Sequence, residues 1–396
     1  MKILHVIRSV NPAGGGPIEG VKQRAAVLGR LGHSIEIASL DSPDDPFTQD
    51  IALTVHPLGP SVLSYGYSKH LVPWLKQNAP RFDIVVVNGL WNYHCFGVWR
   101  ALHKSAIPYV VFTHGMLDPW FRRRYPIKHF KKWLYWPWAD YRVLRDARAV
   151  LFTCEEERRL ARQSFWLYNC NEVVVNYGTA GPQGDRNAFM SAFFQLVPDL
   201  KPKRILLFMG RIHEKKGCDL LLRAFARVLA AESDWHLVFA GPDQTGWRAL
   251  LEEESVHLHV DKRITWVGML TGDAKWGALA AADALLLPSH QENFGIVVAE
   301  ALACGTPVLL SDKVNIWREV VEDGAGYVAE DTLEGVCTLM RRWKSTSASQ
   351  LALMKTQARQ CFELRFEIHR ATSSFLDALR VTRGEAAGRK PTYVGN

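Results

Sequence analysis

Four ionisable residues in the second half of the chain have the types and spacing that a charged, hydroxyl-rich ligand would need. Arg211 and Lys216 stand five residues apart in Gly210-Arg211-Ile212-His213-Glu214-Lys215-Lys216-Gly217, directly after the apolar run Ile205 to Met209. A helix is expected to begin near Cys218. Two cations on one strand-end loop beside a helix N-terminus suit a diphosphate, because side-chain charge and free helix amides act on the same anion. Basic loops are common, however, and this one gains weight only from a second segment. In Pro288-Ser289-His290-Gln291-Glu292-Asn293-Phe294-Gly295-Ile296-Val297-Val298-Ala299-Glu300-Ala301-Leu302-Ala303-Cys304-Gly305, two carboxylates, Glu292 and Glu300, lie eight residues apart. The pattern predicts a strand ending at Pro288, a loop carrying Glu292, and a helix that opens near Gly295 and stops at Gly305. A carboxylate only accepts hydrogen bonds and so can grip paired hydroxyls. Gly295 lets a ligand approach the backbone, and the first helix amides can hold a phosphate or sugar oxygen. Glu300 also reads as a simple partner of the helix dipole.

The first half offers His114, in Thr113-His114-Gly115-Met116-Leu117-Asp118, just after the run Tyr109 to Phe112. A His at a strand end is often structural, and Asp118 before Pro119 is also an ordinary turn initiator. Gly14, Gly15 and Gly16 form a loop after the first strand, suited to closing over a diphosphate, admitting a second substrate, or turning tightly. A different chemistry is written between Phe121 and Trp138, where six Lys or Arg and seven aromatics occur without one acid. Arg122, Arg123, Arg124, Lys128, Lys131 and Lys132, with Trp133 and Trp136, fit a solvated helix face or a polybasic patch on an anionic membrane. Nucleic acid is the third reading, and no recognised nucleic-acid motif accompanies the patch. No nucleic-acid partner is expected.

The elements that must position these residues follow an alternation of short apolar runs with amphipathic stretches, the pattern of βα units and a parallel sheet. Ile3 to Ile7, Ile35 to Leu40, Asp83 to Val87, Tyr109 to Phe112, Val150 to Thr153 and Val173 to Val175 read as strands of one sheet. Residues 178–203 break the rhythm with Gly181-Pro182, Gly184, Pro198 and Pro202, although Phe189 to Leu196 suits a short helix. Strands then resume at Arg204 to Met209, His236 to Ala240, Ile264 to Val267, Ala284 to Leu287 and Val308 to Leu310. The expected fold class is α/β, with two doubly wound halves that bind ligands beyond the carboxyl ends of their strands. The expected boundaries are a domain over 1–180, a linker over 181–203, a second domain over 204–361 and a polar, disordered tail over 384–396.

Composition agrees. With 396 residues, 48% hydrophobic and 22% charged, the chain sits among folded multi-domain proteins and outside the disordered, collagenous and coiled-coil classes. The net charge of +8 belongs to the first half, since residues 1–200 hold 23 basic and 16 acidic side chains against 25 and 24 in the remainder. Seven scattered Cys without a CxxC pair suggest neither a disulfide framework nor a zinc site and suit a reducing compartment. No run approaches the roughly 20 apolar residues of a membrane span. The opening Met1-Lys2-Ile3-Leu4-His5-Val6-Ile7 reads as a strand and not as a secretory signal. No Asp-x-Asp or clustered His/Asp set suggests a metal.

Taken together, the Glu-x7-Glu element of PSHQENFGIVVAEALACGTPVLLSD and the GRIHEKKG loop resemble the retaining, nucleotide-sugar-dependent glycosyltransferases of family 4, which have the GT-B fold. The likeness extends to MKILHVI with its Gly-rich loop, THGML, the GAGYV turn (Gly324 to Val328) and a terminal helical region. It implies two Rossmann-like domains facing across a cleft, with the donor held mainly by the C-terminal one and the acceptor by the N-terminal one. It also implies a last helix, over about 362–380, that crosses back to the first domain. Carried over, Arg211 and Lys216 would neutralise the donor diphosphate, Glu292 would bind the donor sugar and Glu300 the ribose. Asn293, Phe294 and Gly295 would offer backbone groups, Gly15 and Gly16 would lie near the diphosphate, and Gly268 and Met269, within Val267 to Leu270, near the base. His114 would contact the donor sugar. One departure is that Asn88-Gly89 stands where relatives carry His before Gly. The implied activity is transfer of a hexose from a UDP- or GDP-sugar to a glycan acceptor, lipid-linked, in surface polysaccharide synthesis. No cofactor or metal is implied, and the implied location is the cytoplasmic, inner face of the plasma membrane. A nucleotide-sugar epimerase of the same fold and a non-catalytic, membrane-associated sugar-nucleotide-binding subunit are the alternatives.

Overall fold

The computed structural model describes residues 1–12 and 16–384, which form two compact units. Gly14 and Gly15 lie outside the described residues, as does the tail from residue 385. Unit 1 comprises Met1–Tyr177 and the chain from Ile368 onward, and unit 2 is Gly178–Glu367.

Unit 1 is built on a seven-stranded sheet: β1 (Lys2–Ile7), β2 (Ser34–Ser39), β3 (Thr54–Pro57), β4 (Ile84–Asn88), β5 (Tyr109–Phe112), β6 (Ala149–Phe152) and β7 (Glu172–Val174). The order is β3-β2-β1-β4-β5-β6-β7, and every pair is parallel. β4 is buried along its whole length, which its unalternating Ile-Val-Val-Val run requires. The order reverses between β1 and β4, and Asn88, the last residue of β4, is in register with Phe112 at the end of β5. The helix Ile368–Thr382 closes the unit by burying Ala371, Thr372, Phe375 and Leu379, with packing against the helix Gly16–Arg30.

Unit 2 repeats the plan with β8 (Arg204–Met209), β9 (Trp235–Ala240), β10 (Ile264–Gly268), β11 (Ala284–Leu287), β12 (Val308–Ser311) and β13 (Gly326–Ala329). The order is β10-β9-β8-β11-β12-β13, again all parallel. The reversal falls between β8 and β11, so the Arg211 loop and the Glu292 loop leave neighbouring strands at the topological switch point.

Three details depart from the expectations. Segment 181–203, read as a linker, belongs to unit 2. Its helix Arg186–Leu196, capped by Asp185 accepting from the Ala188 amide at 3.0 Å, buries Phe189 and Phe193. That helix lies so close to the helix Gly272–Ala281 that a Cβ on Gly277 would stand 1.9 Å from the Phe189 carbonyl oxygen. The Pro and Gly residues mark turns at either end of this helix and not a break between bodies. Gly324 to Val328 divides into a turn at Gly324, with φ of +67°, and the edge strand β13. The return to unit 1 begins at Ile368, six residues later than expected, because Phe362 to Phe366 form a π-helical turn that stays with unit 2.

Candidate functional site

In unit 2 the two switch-point loops are stitched together before any side chain is considered. The His290 amide donates to the Lys215 carbonyl at 2.8 Å, and Gly217, with φ of +66°, sits where a Cβ would meet the Pro288 carbonyl oxygen at 2.2 Å. Only glycine fits that approach. The Glu292 backbone is held on its other side by β-type bonding, with its amide on Lys313 O at 2.9 Å and its carbonyl accepting from Asn315 N at 3.0 Å. His290 Nδ1 is 2.8 Å from Asp331 Oδ2, and that hydrogen bond draws the His290 pKa above its ordinary value.

On this frame the Lys216 ammonium bonds the Glu292 carboxylate, both side chains being largely buried. Burial alone would raise the Glu292 pKa, but the charges of Lys216, Lys215 and Arg211 outweigh it and hold the carboxyl below its usual range. Arg211 remains exposed on the same loop. Gly295 takes φ of +70° as N-cap of the helix Ile296–Ala303, with Phe294 buried before it and Asn293 within 3.4 Å of the Asn315 amide nitrogen. Glu300 lies on the buried face of that helix and is ion-paired to Lys275 at 2.8 Å. Lys275, on the helix Gly272–Ala281, carried no signal in the sequence. Gly268 ends β10 and Met269 beyond it is exposed at the same carboxyl edge of the sheet.

In unit 1, His114 follows β5 in a left-handed backbone conformation with φ of +49°, which a non-glycine residue holds at a cost of about 1–2 kcal/mol. The clamp is Glu157, a residue that sequence reading missed among the three consecutive acids of a helix's first turn. Only 3% exposed, Glu157 takes the Thr113 hydroxyl at 2.7 Å and the Gly115 amide at 2.6 Å on one oxygen, and the Thr153 amide and hydroxyl, each at 2.7 Å, on the other. The His114 ring stacks on Phe112 with centroids 4.6 Å apart, and its Nε2 is 3.3 Å from Asn88 Oδ1. Desolvation, reinforced by the buried Arg24 guanidinium, lowers the His114 pKa to about 3, so the ring is neutral near pH 7. Arg24 itself has no carboxylate partner among the described residues and lies over the rings of Phe375 (4.4 Å), Phe112 (5.4 Å) and Tyr177 (5.5 Å). Asp118 caps the next turn by accepting from Trp120 N at 2.8 Å.

A family model described as Glycosyl transferases group 1 matches residues 193–350, and one described as Glycosyl transferase 4-like domain matches residues 15–178. The GDP-mannose-dependent alpha-(1-6)-phosphatidylinositol dimannoside mannosyltransferase of Mycobacterium tuberculosis is 32% identical over 322 residues, covering 76% of this chain and 74% of that one. The chain belongs to the family 4-like glycosyltransferases. The chain spans less than half the length of several other curated relatives that it matches. The D-inositol 3-phosphate glycosyltransferase of Rhodococcus opacus, 34% identical over 179 residues, is spanned over 39% of its length. Among solved structures, the sucrose-phosphate synthase from Thermosynechococcus elongatus has a TM-score of 0.73 at 17% identity, covering 96% of this chain and 98% of that one. Anabaena HepE, solved with UDP and glucose, gives 0.74 at 17% over 96% and 100%. These structures share the GT-B fold with the present chain.

The basic, aromatic segment forms the helices Trp120–Arg124 and Pro126–Tyr135, neither with a buried residue. Arg122, Arg123, Arg124, Lys128 and Lys131 are exposed beside Ile127, Phe130, Trp133 and Leu134. Two residues assigned to this patch point elsewhere. Trp136 is 0% exposed, stacked on Phe165 with its indole donating to Trp166 O at 2.7 Å, whereas Trp138 is 67% exposed. Lys132 is half-buried with its ammonium 4.3 Å above the Trp91 ring, and burial lowers its pKa to about 8 against the pull of Asp140. Among the described residues no helix is long and apolar enough to cross a membrane, and no group of three His, Cys, Asp or Glu is placed to hold a metal ion.

Two outcomes follow from this geometry. Glu157→Gln puts an NH2 group against donors that need an acceptor, and unfolding in urea should show a loss of about 1–3 kcal/mol; an unchanged midpoint would contradict the clamp. Glu292, held below its ordinary 4.5 in the folded chain, stabilises unit 2 above about pH 4.5 and loses that contribution as pH falls through its lower folded value. Lys216→Met leaves the buried carboxyl without its main cation, so acid unfolding followed by circular dichroism should begin at a higher pH than in the wild type.

Proposed function

We propose that this chain is a retaining glycosyltransferase that moves a hexose from a UDP- or GDP-linked donor to a lipid-linked glycan acceptor in the synthesis of a surface polysaccharide. The Lys216–Glu292 ion pair at the switch point, with Arg211 on the same loop, carries the reading. A diphosphate entering beside the helix Ile296–Ala303 would be met by Arg211, Lys216 and free helix amides, leaving Glu292 to accept from the donor sugar's hydroxyls. Asn293, Phe294 and Gly295 would add backbone contacts, Glu300 the ribose, and Gly268 and Met269 the edge of the base. In unit 1, neutral His114 would contact a sugar hydroxyl.

The reaction assigned is front-face substitution. The bond from the anomeric carbon to the diphosphate oxygen breaks, the acceptor oxygen bonds that carbon from the same side, and the acceptor proton passes to the departing phosphate. Charge grows on the phosphate as its bond breaks, and fixed cations aimed there lower the barrier. No divalent metal or cofactor enters the scheme. The mycobacterial relative's name makes GDP-mannose the first donor to try, and the UDP complexes of HepE make UDP-glucose the second.

With the true donor, thermal shift should show a rise in melting temperature above that given by the free sugar, and acceptor-dependent release of nucleotide should follow. Lys216→Ala and Glu292→Ala should each cut transfer at least about 100-fold with the far-ultraviolet spectrum unchanged; full activity in Lys216→Ala would remove the site assignment. A new sugar isomer in place of transfer would identify an epimerase.

The exposed part of the basic, aromatic surface supports peripheral contact with an anionic inner leaflet, near a lipid-linked acceptor. At about 1 kcal/mol per basic residue near such a surface, neutralising Arg122, Arg123, Arg124, Lys128 and Lys131 should abolish flotation with anionic liposomes. Equal flotation of variant and wild type rejects this location.

A further inference from the structure

We propose that Asn88 is a positioning residue that fixes which nitrogen of His114 carries the proton, leaving Nδ1 as the acceptor for a substrate sugar hydroxyl. The inference deepens the reading of His114 as a sugar contact and rests on it. The Asn88 amide, only 4% exposed, lies at the end of β4. Its Nδ2 faces the Val86 carbonyl at 3.3 Å, the Val6 carbonyl at 3.4 Å and His5 Nδ1 at 3.1 Å. Turning the amide over would set its oxygen against two carbonyl oxygens, so these strand carbonyls dictate that nitrogen points inward and oxygen outward. The outward oxygen is the atom 3.3 Å from His114 Nε2. An amide oxygen accepts only, so Nε2 must carry hydrogen, and a neutral ring then has its lone pair on Nδ1.

The surroundings hold the ring in that neutral state. His114 sits under the field of Arg24, and beside it stand Phe112, Tyr177 and, through Asn88, His5; among the described residues no carboxylate pairs with the ring. His5 obeys the same logic, since accepting from Asn88 at Nδ1 puts its hydrogen on Nε2, an atom buried without a partner among the described residues. Burial, with the field of Arg24 added, lowers its pKa to about 3, so the inner member of the chain is neutral as well. On the outer side, His114 Nδ1 has no hydrogen-bond partner among the described residues, and the Glu157 clamp on Thr113 and Gly115 holds the backbone that aims it. A hydroxyl donates readily to such a lone pair. The opposite tautomer would present N–H and would place a second lone pair against Asn88 Oδ1. The role of Asn88 is therefore to choose the polarity of the His114 tip, a role that neither a charged nor an apolar residue at β4's end would fill in the same way.

The test uses the full chain with its histidines labelled with nitrogen-15, the His114 signals being assigned by their loss in His114→Gln. Two-bond proton–nitrogen correlations distinguish the tautomers directly. The wild type should show hydrogen on Nε2 and an unprotonated Nδ1; hydrogen on Nδ1 overturns the proposal whatever the variants do. Asn88→Leu should give a mixture of tautomers. An Nε2-protonated ring in a folded Asn88→Leu protein shows that Asn88 does not set it. With GDP-mannose or UDP-glucose as donor probe, kcat should fall about tenfold in Asn88→Leu, the size of one oriented hydrogen bond. If His114→Ala turns either donor over at the wild-type rate, the sugar-contact reading falls and the proposed role of Asn88 falls with it. The tautomer assignment itself is decided separately by the spectrum.

Discussion

A carboxylate withdrawn from water costs several kcal/mol unless cations and hydrogen bonds meet it, and the switch-point loops of unit 2 are arranged around meeting that cost for Glu292. Its side chain is largely buried yet ionised, because Lys216 bonds it and Lys215 and Arg211 add their fields. Those cations reach it because Gly217 lets the loop after β8 lie against the Pro288 carbonyl and because His290 N bonds Lys215 O across the two loops. The parallel neighbours β8 and β11 bring the loops together in the first place. The pair is therefore both a structural tie and a charge arrangement already set during folding.

Unit 1 solves a related problem with the roles exchanged. There the strained element is backbone, the left-handed His114, and a buried carboxylate supplies the restraint. Glu157 spreads four accepted hydrogen bonds over two loops, so its desolvation is offset while β5 and β6 are tied at their carboxyl ends. In both units the residue that would face a ligand is held by a charge a few ångströms away on another loop or helix: Glu292 by Lys216, Glu300 by Lys275, His114 by Glu157 through its flanking backbone. Such second partners keep the tips in place without needing the ligand to order them.

What could be read in advance follows from how local each signal is. The parallel strands β4, β5, β8 and β11 announce themselves by unbroken β-branched and aliphatic runs, and the helix after Gly295 by its stop at Gly305. The Arg211, Lys216, Glu292 and Glu300 spacing lies within two continuous segments, which is why these residues stood out. Glu157 and Lys275 did not, because they act across 44 and 25 residues of chain on partners that only the sheet order brings near, and Asn88 showed only as a departure from the His of relatives, its partner His114 lying 26 residues away. Segment 181–203 misled for the opposite reason: its Pro and Gly residues are local and conspicuous, while the burial of Phe189 and Phe193 against the helix Gly272–Ala281 is not local at all.

The basic, aromatic stretch shows how far composition alone can carry an argument about charge. Six cations and seven aromatics without an acid read as one surface, yet the chain divides them. Trp136 turns into the core onto Phe165, and Lys132 lies over Trp91 near the buried Asp140, whose own pKa is raised by burial to about 6. That cation is consumed in offsetting a buried acid and is not free for an external anion. Arg122, Arg123, Arg124, Lys128 and Lys131 remain outward, beside Phe130, Trp133 and Trp138. The helix Pro126–Tyr135 thus presents charge and ring together on its exposed side while its inner side anchors the fold, and the part of the +8 available to a partner is smaller and more sharply placed than the sequence count implies.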